Sequence, residues 1–242
     1  MKITAYTEKG SYHGTNEDGL LLDRTVFTSG THRLDGAPAL LAVADGLGGC
    51  PYGDVATAFV LSSLAEAQDV TPASLTAINE ALLCHAAACY GGAPMATAVT
   101  GLFLRGERAV LFHVGNTRLS ELRHGAYLIP ITEDDSLVNY RYQRGEITRE
   151  EMKTHPERHK ICAFFGGGDD GFFQVKVRTV LLPDTFILTS DGIHDHIDVD
   201  TLEALLSEMS DREACAKSIV AAARRAGSRD DATVIICDRG ET

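Results

Sequence analysis

The pattern of apolar and polar residues along the chain predicts a mixture of strands and helices. Short apolar runs and two-residue alternation, bounded by glycine, proline or aspartate, are typical of strands. Strands are predicted in this way at residues 3–7, 20–23, 39–44, 95–104, 109–114, 118–122, 126–131, 172–182, 186–189 and 232–237. Apolar residues that recur every three or four positions predict helices instead. Helices are predicted at residues 52–68, 71–91, 134–142, 199–209 and 211–226.

The order of these elements predicts the architecture. Neighbouring strands that are joined by short hairpins pair antiparallel, and the long helices arrive in two separate pairs whose apolar stripes need a sheet to pack against. We therefore predict an α+β fold, a four-layer α/β-β/α sandwich in which two antiparallel sheets are flanked by helix pairs. Residues 144–168 are polar and bounded by glycine, so they are predicted to form a flap insertion over the surface. No linker divides the sequence, and residues 1–242 are predicted to form a single domain.

Charge and hydropathy exclude several classes of partner. Lys and Arg number 22 against 34 Asp and Glu, which gives a formal net charge of −12. A chain this acidic is not expected to bind nucleic acid or an anionic membrane surface. No apolar run approaches the roughly 18 residues of a transmembrane helix, and the N-terminus lacks the apolar core of a signal peptide. We therefore expect a cytoplasmic protein that is a monomer.

Acidic residues recur at the edges of predicted strands. Four such clusters stand in the sequence, at residues 16–18, 45–46, 191–192 and 230–231. Asp45-Gly46 follows a buried apolar run and could offer a hard cation one carboxylate and one backbone carbonyl. Taken alone, Asp-Gly is more often a turn dipeptide. The recurrence favours a different interpretation, in which carboxylates from distant parts of the chain converge and cations relieve their repulsion.

These clusters also carry a resemblance to a known family. Read in order, the sequence resembles the metal-dependent serine/threonine protein phosphatases of type 2C over nearly its whole length. The matching motifs are NED at 16–18, DGLGG at 45–49, GDVAT at 53–57, ATAV at 96–99, VGNTR at 114–118, TEDDS at 132–136, GEIT and HPER at 145–148 and 155–158, SDGI at 190–193 and DDAT at 230–233. Each motif is weak alone, but their common order makes the resemblance specific.

The resemblance implies a binuclear metal centre that holds two Mn²⁺ or Mg²⁺ ions, and it leaves a weak third ion open. By position, Asp45, Asp191 and Asp230 would bind the metals directly, with Asp45 bridging two of them. The backbone carbonyl of Gly46 would be a ligand to the second ion. The residues that are implied to act mainly through metal-bound water are Glu17 and Asp18.

The resemblance also implies a reaction, the hydrolysis of phosphoserine and phosphothreonine in phosphorylated protein substrates by a water held between the two ions. The chemistry agrees with this assignment, because a phosphomonoester dianion repels hydroxide and two bridged metals supply both a nucleophile and positive charge. The sequence has no G-x-S-x-G elbow to offer a covalent nucleophile, and its glycine loop lacks the third glycine of a dinucleotide fingerprint.

His13 and Asn116 are among the residues that depart from the family pattern. His13 stands where the family usually has an arginine that contacts the substrate phosphate. Histidine lacks the permanent bidentate fork of arginine, so His13 is predicted either to bind phosphate more weakly or to donate a proton to the leaving group. The alternative is a polar strand residue without a catalytic role. Asn116 replaces an aspartate that helps to hold a third metal in many members, so a third ion is expected to bind weakly.

Other polar residues near the motifs are predicted to be structural. His194 and His196 lie close to Asp191 in the sequence, but their segment matches a family stretch that carries no ligands. Arg118 is predicted to be an ion-pair partner. Asp135 is left open between a position close to the metals and the surface.

Three functions remain open on the sequence. The first is an active phosphatase on phosphoproteins. The second is a phosphatase-like module that binds phosphoproteins with little turnover, which the missing arginine permits. The third is a small-molecule phosphatase on the same scaffold. Retention of all three direct aspartates favours catalysis.

Overall fold

The chain folds into two β-sheets and flanking helices in a computed structural model that describes residues 1–167 and 171–240. The strands are β1 (Lys2–Glu8), β2 (Asp18–Leu22), β3 (Thr25–Phe27), β4 (Gly30–Asp35), β5 (Leu40–Gly46), β6 (Met95–Arg105), β7 (Arg108–Val114), β8 (Arg118–Arg123), β9 (Tyr127–Pro130), β10 (Phe165–Gly167), β11 (Lys176–Leu181), β12 (Thr185–Thr189) and β13 (Ala232–Asp238). The helices are α1 (Gly53–Glu66), α2 (Pro72–Cys89), α3 (Leu137–Gln143), α4 (Arg149–Thr154), α5 (Asp191–His194), α6 (Val199–Glu208) and α7 (Arg212–Arg225). In this part of the chain, every helix falls short of the length or the apolar content that a membrane span requires.

The strands form two antiparallel sheets. One sheet has six strands in the order β4-β1-β13-β12-β8-β9. The other has seven strands, with the order β11-β7-β6-β5-β2-β3 and with β10 paired to β6. Pairing partners such as β6 and β7 are joined by short turns, which is the origin of the antiparallel arrangement.

The two sheets face each other across an apolar core, and helices cover their outer faces. Leu20 and Val43 of the seven-stranded sheet pack in this core with Leu119 and Ile235 of the six-stranded sheet. Helices α1 and α2 pack on the outer face of the seven-stranded sheet. Helices α6 and α7 pack on the outer face of the six-stranded sheet. The predicted four-layer sandwich is confirmed.

Strand β5 shows why the apolar run before Asp45 is continuous rather than alternating. Leu40 and Ala42 pack on the side of the helices, whereas Leu41 and Val43 pack on the side of the opposite sheet. A strand that is buried on both faces needs apolar residues at successive positions. Asp45 therefore stands near the end of a strand in which the five residues before it are buried.

The two helices that cover the seven-stranded sheet begin in different ways. Helix α2 begins at Pro72, and its N-cap Thr71 forms a capping box with the third residue of the helix. Helix α1 begins at Gly53, after Tyr52, whose φ is 66° and whose side chain makes no capping hydrogen bond. Its start is fixed by close packing instead, because a Cβ on Gly46 would lie 2.7 Å from the carbonyl carbon of Gly53.

The pattern missed two edge strands, β3 beside β2 and β4 beside β1, and made one strand too long. Strands β3 and β4 were not predicted, because β4 lies at the edge of its sheet and all of its residues are partly or fully exposed. Its sequence therefore shows no apolar alternation. Of the strand predicted at 172–182, the part that pairs with β7 is β11, whose first residue Lys176 lies opposite His113.

The predicted flap at residues 144–168 divides into an exposed part and a buried part. Helix α4 has exposed or half-buried residues, as expected for an insertion over the surface. By contrast, Ala163, Phe164 and Phe165 are buried, and β10 pairs with β6. The surface prediction is wrong for these three residues, because the aromatic side chains that follow the polar run return the chain to the core. Gly168, the last residue of the predicted flap, lies outside the described residues.

Candidate metal centre

The four acidic clusters meet at one end of the sandwich. Asp18 on β2 lies directly opposite Asp45 on β5. Asp191 begins α5 just after β12, and Asp230 shortly precedes β13, the neighbour of β12 in the other sheet. Strand β13 contacts β2 and β5 across the sandwich. Carboxylates from both sheets are therefore brought together, as the recurrence of acidic residues predicted.

Ser190 links the two sheets at this end. Its hydroxyl donates a 2.6 Å hydrogen bond to Asp18 Oδ2 and accepts a 2.9 Å hydrogen bond from the backbone N–H of Thr233. Burial raises the pKa of Asp18 to about 8, although the hydrogen bonds with Ser190 and Thr233 act in the opposite direction. No role was predicted for Ser190. The one feature of the sequence that pointed to it is its place directly before Asp191 in the SDGI motif.

Asp45 and Asp191 are neighbouring carboxylates in the middle of the cluster. Burial, followed by the charges of Asp191 and Asp18, raises the pKa of Asp45 well above its usual range. Burial, followed by the charges of nearby aspartates, raises the pKa of Asp191 to about 7. Asn116 Nδ2 donates a 2.8 Å hydrogen bond to Asp191 Oδ2. Asp45 Oδ2 is buried and has no hydrogen-bond partner among the described residues.

A second group of carboxylates lies around His13, in the segment between β1 and β2. The ring nitrogen Nδ1 of His13 is 3.8 Å from Glu17 Oε2. The same nitrogen is 4.0 Å from Asp230 Oδ1 and 3.7 Å from Asp231 Oδ2. Burial raises the pKa of Glu17, although the nearby His13 acts in the opposite direction. Both His13 Nδ1 and Glu17 Oε2 are buried atoms without a hydrogen-bond partner in residues 1–167 and 171–240.

Asp231 holds the His13 segment in place from the far end of the chain. Its Oδ1 accepts a 2.7 Å hydrogen bond from the backbone N–H of Gly10, and its Oδ2 accepts one of 2.6 Å from the backbone N–H of Glu17. A carboxylate offers two acceptor oxygens to these two donors, whereas the amide of asparagine offers one. Sequence analysis assigned Asp231 no role, because its partners lie 221 and 214 residues away in the chain.

Two glycines bring the start of α1 against the acidic end of β5. The backbone N–H of Gly46 donates a 3.1 Å hydrogen bond to the carbonyl oxygen of Glu17. A Cβ on Gly53 would lie 2.5 Å from Glu17 Oε2, so a larger residue at this position would displace the carboxylate. Thr97 Oγ1 donates a 2.9 Å hydrogen bond to the carbonyl oxygen of Asp45. The backbone around Asp45 and Glu17 is thus fixed by contacts that tolerate no side chain at 46 or 53.

The donors at this end of the sandwich fit divalent cations. Carboxylates whose pKa is raised by burial and mutual repulsion need positive charge to be stable as anions, and hard cations prefer oxygen ligands. Arg118 is the arginine whose charge acts on Asp191, and its guanidinium is already paired with Asp134. The ligand atoms of His13, Asp230 and Asp231 lie within 4.8 Å of one another. The carboxylates that form the candidate metal centre are Glu17, Asp18, Asp45, Asp191, Asp230 and Asp231.

The other residues considered in the sequence make structural contacts. Arg118 forms a bidentate ion pair with Asp134, with N···O distances of 2.8 and 2.6 Å, in agreement with the role predicted for it. His194 Nδ1 lies 2.8 Å from Thr189 Oγ1, and burial lowers the pKa of His194 well below its usual range. Its Nε2 is buried and has no hydrogen-bond partner among the described residues. His196 is exposed.

Asp135 is buried, so the surface alternative is wrong for this residue. It accepts hydrogen bonds from the backbone N–H of Gly115 at 3.0 Å and from the Tyr140 hydroxyl at 3.1 Å. Lys176 Nζ forms an ion pair with it at 2.5 Å, and His113 Nε2 lies 3.8 Å from its Oδ2. These contacts form the His113 network, which comprises Thr100, His113, Asp135, Tyr140 and Lys176.

The chain is similar in sequence to bacterial proteins that are named serine/threonine phosphatases. The chain is 29% identical over 248 residues to the serine/threonine protein phosphatase PstP of Mycobacterium tuberculosis, which covers 98% of this chain and 45% of PstP. It is 28% identical over 253 residues to the serine/threonine phosphatase Stp of Listeria monocytogenes, which covers 98% of this chain and 95% of Stp. The chain therefore spans about half the length of PstP and nearly the full length of Stp.

Solved structures share the whole fold. The crystal structure of M. tuberculosis PstP superposes with a TM-score of 0.81 at 27% identity and covers 100% of both chains. The catalytic domain of PstP in complex with two manganese ions superposes with a TM-score of 0.73 at 27% identity and covers 98% of this chain and 99% of that one. The family model of protein phosphatase 2C matches residues 23–226, well over half of the sequence. The chain belongs to the protein phosphatase 2C family.

Proposed function

We propose that this chain is a divalent-metal-dependent phosphatase that hydrolyses phosphoserine and phosphothreonine esters in proteins. The observation that carries the proposal is the group of crowded carboxylates at one end of the sandwich, in which burial and mutual repulsion raise the pKa values of Asp18, Asp45 and Asp191. Such a group is stable as anions when cations bind to it. Family membership supports this activity, as do relatives that are named serine/threonine phosphatases.

The proposed cofactors are two Mn²⁺ or Mg²⁺ ions. Asp45, Asp191 and Asp230 would hold them, together with the backbone carbonyl of Gly46. When bound, such ions supply positive charge to the phosphoryl oxygens and activate water as the nucleophile. The manganese-bound structure of the PstP catalytic domain supports the choice of metal.

The surrounding residues are proposed to orient the carboxylates. Glu17 and Asp18 would bind water around the centre rather than the ions themselves. The Ser190 hydroxyl keeps Asp18 oriented through its 2.6 Å hydrogen bond. Asn116 orients Asp191 by donating a 2.8 Å hydrogen bond. Because Asn116 carries no charge, a third ion would bind weakly.

His13 is proposed to contact the substrate phosphate or to donate a proton to the leaving group. Its side chain is 20% exposed, and its Nδ1 is a buried atom that faces the carboxylates. The exposed part of the ring therefore belongs to its other atoms, and the phosphate would meet the ring there. A neutral histidine contributes a single N–H donor, in contrast to the fork of an arginine.

The test is hydrolysis of p-nitrophenyl phosphate and of a phosphothreonine peptide by the purified chain. We expect turnover with Mn²⁺ and none with EDTA. Asp191→Asn should lose activity by at least about a thousandfold, because a carboxylate that holds the metal accounts for several kcal/mol of transition-state stabilisation. The matched control His196→Ala changes an exposed residue of the same segment and should keep full activity. A wild-type chain that binds Mn²⁺ and hydrolyses neither substrate would contradict the proposal.

The binding-module alternative draws its support from the histidine at position 13. Calorimetric binding of the phosphothreonine peptide, measured alongside turnover, separates it from the enzyme. Tight binding without measurable turnover favours the module. The small-molecule alternative is tested by the ratio of kcat/KM for the peptide to kcat/KM for free phosphoserine. A ratio below one favours the small-molecule phosphatase.

A further inference from the structure

The side chain of His13 is held so that one ring nitrogen faces the carboxylates. Nδ1 is buried and has no hydrogen-bond partner among the described residues. The ring packs edge-on against Tyr12, with a distance of 4.8 Å between ring centroids. The backbone carbonyl of His13 accepts a 2.8 Å hydrogen bond from Lys9 Nζ. Both the ring and its backbone are therefore positioned, while the polar atom at the centre of the acidic group lacks a partner.

The distances around this nitrogen match the size of a metal site. Metal–nitrogen and metal–oxygen bonds of small divalent ions are about 2.1 Å long, so two ligands of one ion lie at most about 4.2 Å apart. His13 Nδ1 is 4.0 Å from Asp230 Oδ1 and 3.7 Å from Asp231 Oδ2. These separations are too long for hydrogen bonds and short enough for a shared ion.

We propose that His13 Nδ1 is itself a ligand of a divalent transition-metal ion, which it holds together with the carboxylates of Asp230 and Asp231. This inference rests on the proposed function, because it assigns a further ligand to the same metal centre. It adds a nitrogen donor to a site that otherwise offers oxygen atoms.

Asp231 can take part while it keeps its structural hydrogen bonds. Its Oδ2 accepts one hydrogen bond, from the backbone N–H of Glu17. A carboxylate oxygen has two lone pairs, so one remains for a metal. Asp230 is freer, since its side chain is 46% exposed and its Oδ1 accepts a hydrogen bond from the backbone N–H of Asp231. The nitrogen and both carboxylates thus have lone pairs available at the same point.

The residue type at position 13 decides whether this ligand exists. Arginine, which the family usually has there, has no acceptor atom and stays protonated, so it binds phosphate but no metal. Neutral imidazole binds Zn²⁺ and other transition ions well and Mg²⁺ poorly. The exchange of arginine for His13 therefore shifts the metal preference of the centre from Mg²⁺ towards ions that accept nitrogen.

Metal binding to the metal-free chain tests the inference, with calorimetric titration of Zn²⁺, Mn²⁺ and Mg²⁺. In His13→Ala, the Kd for Zn²⁺ should rise by at least about tenfold, while the Kd for Mg²⁺ changes by less than about threefold. The control His196→Ala removes an exposed histidine and should bind all three ions as the wild type does. Equal Zn²⁺ affinity of His13→Ala and wild type would overturn the proposal.

A spectroscopic measurement on the wild type gives a second test that needs no variant to fold. Pulsed electron paramagnetic resonance of the Mn²⁺-bound chain should show a nitrogen coupling that changes when the histidines are labelled with ¹⁵N. The coupling should disappear in His13→Ala and remain in His196→Ala. Absence of the coupling in the wild type would overturn direct ligation, even if His13→Ala weakens metal binding.

Carboxylate variants separate this inference from the proposed function. Asp45→Asn and Asp191→Asn should both weaken Mn²⁺ binding by at least about tenfold. If they do so while His13→Ala changes neither affinity nor coupling, the nitrogen ligand is refuted and the proposed function stands. If neither carboxylate variant affects Mn²⁺ binding, the proposed metal centre is refuted, and the proposed function with it.

Discussion

The candidate metal centre and the His113 network are both polar clusters inside the protein, but their charges are balanced differently. In the His113 network, protein atoms satisfy one another. His113 Nδ1 lies 2.8 Å from Thr100 Oγ1, and His113 Nε2 lies 2.9 Å from the carbonyl oxygen of Glu133. Lys176 supplies a positive charge to Asp135 at 2.5 Å. This cluster is complete without any added ion.

The candidate metal centre is incomplete by the same standard. Asp45 Oδ2, Glu17 Oε2 and His13 Nδ1 are buried without hydrogen-bond partners in the described part of the chain. Burial raises the pKa of both acidic groups. Buried polar atoms are nearly always paired, and an unpaired group is costly in a low-dielectric interior. A group of several unsatisfied atoms among crowded carboxylates therefore marks where a cation is needed, whereas one unpartnered atom such as His194 Nε2 does not.

Asp45→Asn should have the largest effect, because it should lower activity and raise the stability of the metal-free protein together. Activity should fall by at least about a thousandfold, since a metal-holding carboxylate is lost. The metal-free protein should become more stable by about 1–2 kcal/mol, because burial disfavours the charged form of Asp45 and raises its pKa. The measurements are kcat with Mn²⁺ and the Tm in EDTA.

The control for this prediction is Asp35→Asn, which changes an exposed aspartate at the end of β4. It should alter neither kcat nor Tm. A lower Tm of Asp45→Asn in EDTA would show that the Asp45 carboxylate stabilises the metal-free fold, against the view that this cluster is incomplete.

Asp135→Asn should have the opposite effect in the His113 network. The substitution removes the ion pair with Lys176 and weakens acceptance from Gly115 and Tyr140. Loss of a buried, fully paired carboxylate should destabilise the protein by about 2–4 kcal/mol, which lowers the Tm by roughly 5–15 °C. The same fall is expected with EDTA and with Mn²⁺. A selective loss of Mn²⁺ affinity at unchanged Tm would place Asp135 in the metal centre instead.

The adjacent residues Asp230 and Asp231 should contribute differently to stability within the metal centre. Both variants Asp230→Ala and Asp231→Ala remove one negative charge from the same group. Asp231→Ala also strands the backbone N–H groups of Gly10 and Glu17. Its free energy of unfolding should therefore be lower than that of Asp230→Ala by about 2 kcal/mol. Urea unfolding in EDTA measures the difference, and equal values would mean that the two N–H groups find other acceptors.

The sequence was sufficient to place residues whose position depends on the local pattern. Asp45 and Asp191 stand where a buried strand ends, and a continuous apolar run before an acidic residue is visible without a structure. The layer order could be predicted because the periodicity of strands and helices is also a local pattern of the sequence. By contrast, β4 was missed because an edge strand with exposed residues carries no apolar period.

Residues that act through distant partners were not predictable in this way. Ser190 donates to Asp18 across 172 positions, and Asp231 accepts from Gly10 across 221 positions. No local pattern records such a pairing, because it exists only once the two sheets have stacked. The partnerless Nδ1 of His13 belongs to the same class, since two of the carboxylates near it, Asp230 and Asp231, come from the other end of the chain.

The smallest expected effect concerns the pH dependence of stability, which His113 should control in part. Burial lowers the pKa of His113 below its ordinary value of 6.5. As the pH falls through that value, the unfolded chain takes up a proton that the folded chain does not bind. The unfolded state is then favoured, so stability is lost on acidification, whereas above this pH both states are neutral and the residue contributes no slope.

His113→Gln removes the titrating group and should flatten the dependence of unfolding free energy on pH between 5 and 6.5. The change in slope is at most one proton, or about 1.4 kcal/mol per pH unit. Urea unfolding at several pH values measures it, with His196→Gln as the exposed control. Parallel profiles for His113→Gln and the wild type would mean that the ring carries its proton in the folded chain. The His113 network would then hold a buried charge of its own, and its contrast with the metal centre would be lost.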